Sequence, residues 1–332
     1  MARATLGNAL KKGDRIGDEF EVVNKLGEGG CGTVFRCRWT KKPTIEVAVK
    51  VLDRDGDVAR FTREAKVLRR VRHLNVVKLI GSGYHEDRPY IALEFVEGGS
   101  VRDLMDRFPS GMPVEEAAWI LVQTVRGLRA SGTVHRDLKP ENLLLTPGEG
   151  RAKTPKLVIN DAKKGAVVKV ADFGLAREMD LGQTRLTHSG QVMGTPVYMS
   201  PEQCRSTKKV SFKTDVYAIG IIFFEMITGK VPFDAPNAYD IMKKHLEEEP
   251  KLGRLAKAPR EVIAKCLEKA PGKRYASLRA LEKDLCALAG IGVENVERGG
   301  GGSGRLVAIV VIGLALLGTI AWLLRDRLAA LF

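Results

Sequence analysis

The residues of this chain that could do chemistry first show themselves around a glycine-rich turn. Residues 26–34 read LGEGGCGTV, and Gly27, Gly29 and Gly32 fit a G-x-G-x-x-G spacing. Glycine suits such a turn because backbone N–H groups can approach phosphate oxygens with no side chain in the way. A plain hairpin fits the glycines equally well. Dinucleotide binding would need a helix after the last glycine, whereas Thr33 to Trp39 is β-branched and aromatic and reads as a strand. The next strand, VAVKV over 47–51, alternates with period two. Val47, Val49 and Val51 take one face, Ala48 and Lys50 the other. A lysine on a face of small residues suits an anion site; an exposed edge lysine is the plain alternative. Residues 58–71 read as a helix with Phe61, Ala65 and Leu68 at helical spacing. Glu64 lies beside that stripe, able to reach inward to Lys50 or to remain a solvated helix residue.

Two later runs carry a more specific signature: HRDLKPENLL over 135–144 and DFG over 172–174. With the glycine turn and VAVK they reproduce, in order, the motif set of protein kinases. SPE at 200–202 stands where that family has A-P-E, with Ser200 replacing alanine. DVYAIG at 215–220 resembles the buried-helix motif that follows, and KRY at 273–275 supplies the late arginine that pairs with the Glu202 position. The resemblance covers residues 20–288.

The resemblance implies roles position by position. Asp137 is similar to the base that accepts the proton of the substrate hydroxyl, and Lys139 to the lysine that contacts the transferring γ-phosphate of ATP. Lys50 would hold the α- and β-phosphates and pair with Glu64. The nucleotide would lie against Leu26, Gly27, Glu28, Gly29, Gly30, Cys31, Gly32, Thr33, Val34 and Ala48. Leu93 takes the gatekeeper position, and Glu94 to Val96 the hinge whose backbone reads the adenine edge. Asn142 and Asp172 resemble the two Mg2+ ligands, hard oxygen donors for a hard cation.

DLK at 137–139 is the serine/threonine form of the catalytic loop, so the implied partners are proteins carrying serine or threonine. Thr195 supports this. The wording of residues 194–202 most resembles the eukaryotic-like serine/threonine kinases of bacteria. Arg136, before the aspartate, implies a loop phosphate, and Thr187 and Ser189 rank ahead of Thr184 as its sites. Self-association would let one copy phosphorylate another. Two departures stand out. Such bacterial kinases usually carry an extracytoplasmic sensor after a membrane span, and none is expected here. A basic insert over 146–168 also separates Asn142 from Asp172, with residues 156–159 and 166–170 able to pair as a hairpin.

The elements that must position these residues imply an α+β, two-lobed kinase fold. A small antiparallel sheet with one main helix, then a larger helical lobe, would span residues 20–289, after an N-terminal extension over 1–19. A Gly/Ser-rich linker follows over 290–305. Residues 306–324 carry no charge, and as a helix at about 1.5 Å per residue they would run about 28 Å. That matches a hydrocarbon core about 30 Å thick. The expectation is a single-pass anchor in membrane lipid, a short tail over 325–332 and a cytoplasmic kinase domain. The start of the chain has no apolar run, so no cleaved signal peptide is expected.

Composition excludes other classes. With 44% hydrophobic and 28% charged residues there is no collagen-like or disordered bias. The five cysteines form no C-x-x-C pair, which argues against zinc and thioredoxin-like chemistry and for reduced thiols. A net charge of +14 would suit nucleic acid, an anionic membrane face, acidic substrates or simply a solvated surface. No nucleic acid is expected. The rival from another class is a membrane-tethered pseudokinase scaffold, which would have lost Lys50, Asp137 or Asp172.

Overall fold

The computed structural model describes residues 10–29, 32–52, 58–147, 166–173, 196–205 and 210–292. The chain divides into two units, Met1–Ile291 and Gly292–Phe332. The expected span at 306–324, the linker before it from residue 293 onward and the tail after it lie outside the described residues. Among the described residues no helix is long and apolar enough to cross a membrane.

The first half of the kinase-like region is one antiparallel sheet. Its strands are β1 (Arg15–Ile16), β2 (Phe20–Gly29), β3 (Gly32–Trp39), β4 (Glu46–Val51), β5 (Leu79–His85) and β6 (Arg88–Glu94), in the order β1-β2-β3-β4-β6-β5. The sheet thus begins inside the expected extension, where Ile16 is fully buried. Alternation holds along β4. Val47, Val49 and Val51 are buried against Phe20, Phe35 and Tyr90, while Ala48 and Lys50 turn to the other face. Helix α1 (Val58–Arg70) covers that other side. Phe61 and Ala65 pack with Leu52 and Ile91, and Leu68 reaches the core of the second half. Truncating Phe61 to alanine would cost about 3–5 kcal/mol.

The second half is helical: α2 (Val101–Met105), α3 (Val114–Ser131), α4 (Pro201–Arg205), α5 (Phe212–Thr228), α6 (Ala238–Glu247), α7 (Lys257–Cys266) and α8 (Leu278–Leu288). Helix α5 is apolar nearly all round, as an interior helix must be, and Val216, Ile219, Ile221, Ile222 and Phe223 are all buried. Ser211 caps its start by accepting from the Lys213 N–H, and Gly229, at φ 70°, ends it in a left-handed turn. A short hairpin, β7 (Leu143–Leu145) with β8 (Val168–Val170), lies between α3 and α4.

Val168–Val170, expected to pair with residues 156–159, is paired with Leu143–Leu145; residues 156–159 lie outside the described residues. The insert leaves and returns at one point. Thr146 N–H donates to the Val167 carbonyl at 2.9 Å, and Val167 N–H donates to Thr146 Oγ1 at 2.8 Å. Asn75 joins the two halves. Its buried amide donates to Gln123 Oε1 and the Val168 carbonyl, and its own carbonyl accepts from Val170 N–H.

Candidate active site

The β2–β3 hairpin brings Gly27 opposite Val34, Glu28 opposite Thr33 and Gly29 opposite Gly32. Gly30 and Cys31 lie outside the described residues. Gly32 has a reason within the fold. At φ 142° its backbone passes so near β4 that a Cβ would sit 2.1 Å from the Val51 carbonyl oxygen. At Gly27 a Cβ would meet no atom of the described residues within 4 Å.

Pairing across the sheet puts Val34 beside Lys50 and Ala48 beside Leu93, so these four share the face that looks away from the Val47–Val51 core. Leu26 is exposed, while Leu93, Glu94 and Val96 are half-buried where β6 runs toward α2. The Glu94 carboxylate accepts from Lys78 N–H and from Lys169 Nζ, each at 2.8 Å.

Lys50 Nζ lies 2.6 Å from Asp172 Oδ1 and 3.3 Å from Glu64 Oε2. Glu64, 3% exposed, is pushed up to about 7 by burial, which the Lys50 ammonium offsets only in part while Asp172 adds repulsion. Burial would raise Asp172 as well, but Lys50 at contact distance outweighs it and holds the carboxyl below the ordinary range. Asp172 also sits in the left-handed region, at φ 54°.

Asp137 receives Lys139 Nζ at 3.0 Å on Oδ2, and both side chains remain partly open to solvent. The loop beneath them is held by its backbone. Asp215 on α5, wholly buried, accepts from His135 N–H and Arg136 N–H, each at 2.9 Å. Gln203 Nε2 donates to the Arg136 carbonyl at 2.7 Å, with Arg136 at φ 68°. His135 Nε2 donates to the Ala171 carbonyl at 3.0 Å, and Ala171 N–H donates to the Asn142 carbonyl at 2.8 Å. The Asp137 loop and Asp172 are thereby tied together. Glu202 and Arg274 form the expected pair, bidentate at 2.8 and 2.9 Å.

A family model described as "Protein kinase domain" matches residues 20–286. The chain belongs to the protein kinase family. It is 34% identical over 294 residues to a serine/threonine-protein kinase of Myxococcus xanthus, which covers 83% of this chain and 51% of that protein. A probable serine/threonine-protein kinase of Clostridium perfringens is 33% identical over 286 residues, covering 82% and 38%. The serine/threonine-protein kinase PrkC of Bacillus subtilis is 32% identical over 286 residues, covering 82% and 41%. The chain spans about half or less of the length of these relatives.

Two residues here fit the metal the family implies. Asn142 uses its amide Nδ2 on the Asp137 carbonyl at 2.8 Å, so its oxygen is the atom it can offer a cation. Lys50 engages Oδ1 of Asp172, and Oδ2 is the atom that remains for one. One carboxylate and one amide oxygen suit Mg2+, which keeps waters and phosphate oxygens as its other ligands.

Sequence reasoning missed Gln203 and Lys169. Alternation in β8 places Lys169 opposite the buried Val168 and Val170, a usable signal. Nothing in the pattern around Gln203 marks it.

Replacing Lys50 by methionine should reduce phosphoryl transfer by about 100-fold or more and leave a folded protein. Glu64 can take a proton once its cation is gone. A carboxyl with a raised folded pKa favours folding most below its ordinary 4.5 and loses that advantage as pH rises to its folded value, about 7 in the wild type. Without Lys50 that value rises further. Calorimetry should therefore show the variant's Tm still falling above about pH 7, where the Glu64 contribution in the wild type has levelled off. Parallel profiles would place Glu64 away from the ammonium.

Proposed function

We propose that this chain phosphorylates serine or threonine hydroxyls of proteins with ATP, as a kinase held at a membrane by residues 306–324. The observation that carries the phosphotransfer reading is Lys50 bridging Glu64 and Asp172, with the Asp137–Lys139 pair tied to the same backbone. Lys50 orients the α- and β-phosphates. Asp137 takes the proton from the acceptor hydroxyl as its oxygen attacks the γ-phosphorus, and the bond from that phosphorus to the β–γ bridging oxygen breaks to release ADP. Lys139 offsets the charge that builds on the transferring group. Such transfer asks little covalent help of the protein; positioning and charge do most of the work. Asn142 and Asp172 would hold magnesium, which neutralises phosphate charge when bound. The relatives, themselves named serine/threonine-protein kinases, support serine or threonine as the acceptor.

Activation by phosphorylation of the loop between Asp172 and Glu202 belongs to the same reading. Arg136 Nε is buried and has no hydrogen-bond partner among the described residues. A phosphate brings about −2 charge and accepts charge-assisted bonds from a guanidinium. Thr187 and Ser189 lie outside the described residues. Mass spectrometry of the wild type should find phosphate on one of them, absent from Asp137→Asn, and Thr187→Ala/Ser189→Ala should lose most activity. Full activity in the double variant with a phosphate-free loop would contradict it.

The membrane reading rests on the uncharged run at 306–324, behind a linker whose residues 299–304 read GGGGSG. Removing residues 304–332 should move the protein from the membrane fraction to the soluble one with its kinase activity kept. Persistent membrane attachment would assign the affinity to the basic surface, at about 1 kcal/mol per well-placed lysine or arginine.

A further inference from the structure

A second cation stands on the same face of the sheet as Lys50, at its other end. Side chains two residues apart along a strand share a face, so the face of Val34, Ala48 and Lys50 continues to Arg36 on β3 and Glu46 on β4. Register confirms the order: Val34 pairs with Lys50 and Arg36 with Ala48. Glu46 is four residues from Lys50, about 13 Å along an extended strand. The glycine turn lies at the Lys50 end, where Thr33 pairs with Val51. A nucleotide with its phosphates at that turn and at Lys50 therefore lays its base toward Arg36 and Glu46.

Arg36 Nε donates to Glu46 Oε2 at 3.0 Å, and Nη2 donates to the same oxygen. The guanidinium carbon Cζ stands 4.7 Å from the centroid of the Phe95 ring. Two donors on one carboxylate oxygen fix the plane of the guanidinium, and a planar cation is attracted to an aromatic face. Phe95 is half-buried and is the middle residue of the hinge, between Glu94 and Val96.

The hinge needs such support. The β4–β6 ladder ends at the Val47–Glu94 pair, and α2 begins only at Val101. Two successive side chains hold the chain where it leaves the sheet. Glu94 accepts from Lys78 N–H and Lys169 Nζ, and Phe95 lies under Arg36. As an ion pair alone, Arg36 and Glu46 would contribute little to stability, because their side chains are 34% and 29% exposed. The contact with Phe95 gives the pair its consequence.

We propose that Arg36 is a positioning residue for the nucleotide base: held by Glu46, its guanidinium packs on Phe95 and sets the hinge backbone against the adenine edge. The inference rests on the protein-kinase reading above. Arg36 touches neither Lys50 nor Asp137, so its loss weakens the hold on the base and leaves the transfer step as it was.

The test measures initial rates with ATP and a generic protein acceptor for the full chain, each variant with its Tm. Wild type is compared with Arg36→Met, Arg36→Lys, Phe95→Leu and the double variant Arg36→Met/Phe95→Leu. Adenosine, a base without phosphates, and inorganic tripolyphosphate, phosphates without a base, serve as competitive inhibitors against ATP. Arg36→Met should raise the KM for ATP about fivefold, with kcat and the acceptor KM within about twofold of wild type. The inhibition constant of adenosine should rise by the same factor and that of tripolyphosphate should stay. Arg36→Lys keeps the cation and should recover most of the loss. In the Phe95→Leu background, Arg36→Met should add less than about twofold, because the ring it acts through is gone. Arg36→Gln, which keeps a donor for Glu46 but no cation, makes the same comparison should Arg36→Met fail to fold. An unchanged KM for ATP, equal rises for adenosine and tripolyphosphate, a loss confined to kcat, or full additivity with Phe95→Leu would each overturn the proposal. A wild type that transfers no phosphate from ATP overturns the protein-kinase reading, and this proposal with it.

Discussion

The ammonium of Lys50 stands between two carboxylates that come from opposite sides of the site. Glu64 is carried by α1 and Asp172 follows β8, and Lys50 reaches both at 3.3 and 2.6 Å. Glu64 is 3% exposed and keeps its charge only beside that ammonium, so a drift of β4 or α1 takes away the partner that sustains it. The rotation of α1 follows from the same demand. With Glu64 turned to the lysine, Phe61, Ala65 and Leu68 face the sheet and the second core.

On the other side, α5 plays the corresponding part. Arg136 and Asp172 both hold left-handed backbone, a conformation that costs about 1–3 kcal/mol each in residues other than glycine. Asp215 fixes the N–H groups of His135 and Arg136, and Gln203 fixes the Arg136 carbonyl. The His135 ring and the Ala171 amide then link that loop to Asp172. The strain sits next to Asp137 and Asp172, the two carboxylates assigned to proton acceptance and metal binding, and is sustained by a helix buried on nearly every side.

Much of this was legible in the sequence, for identifiable reasons. The alternation of β4 and the stripe of α1 gave the faces of Lys50 and Glu64 because one side of each element is buried against a core. Strand, turn and strand around Gly27 to Gly32 were readable because glycine and β-branched residues mark local backbone preference. The sequence could not show contacts between distant stretches that follow no period. Gln203 reaching Arg136 and Lys169 reaching Glu94 both depend on how distant elements pack. Arg15–Ile16 was missed as a strand because a two-residue edge carries no periodicity.

The central claim is that Asp137 stands where a substrate hydroxyl gives up its proton while the neighbouring groups hold the phosphates. Transfer of label from [γ-³²P]ATP to a generic protein substrate, wild type beside Asp137→Asn, tests it most directly. Asp137 is half-open to solvent, so the amide should leave Tm unchanged. The account predicts labelled substrate with the wild type and a loss of about 100-fold or more with Asp137→Asn. Equal labelling by two equally stable proteins would contradict it.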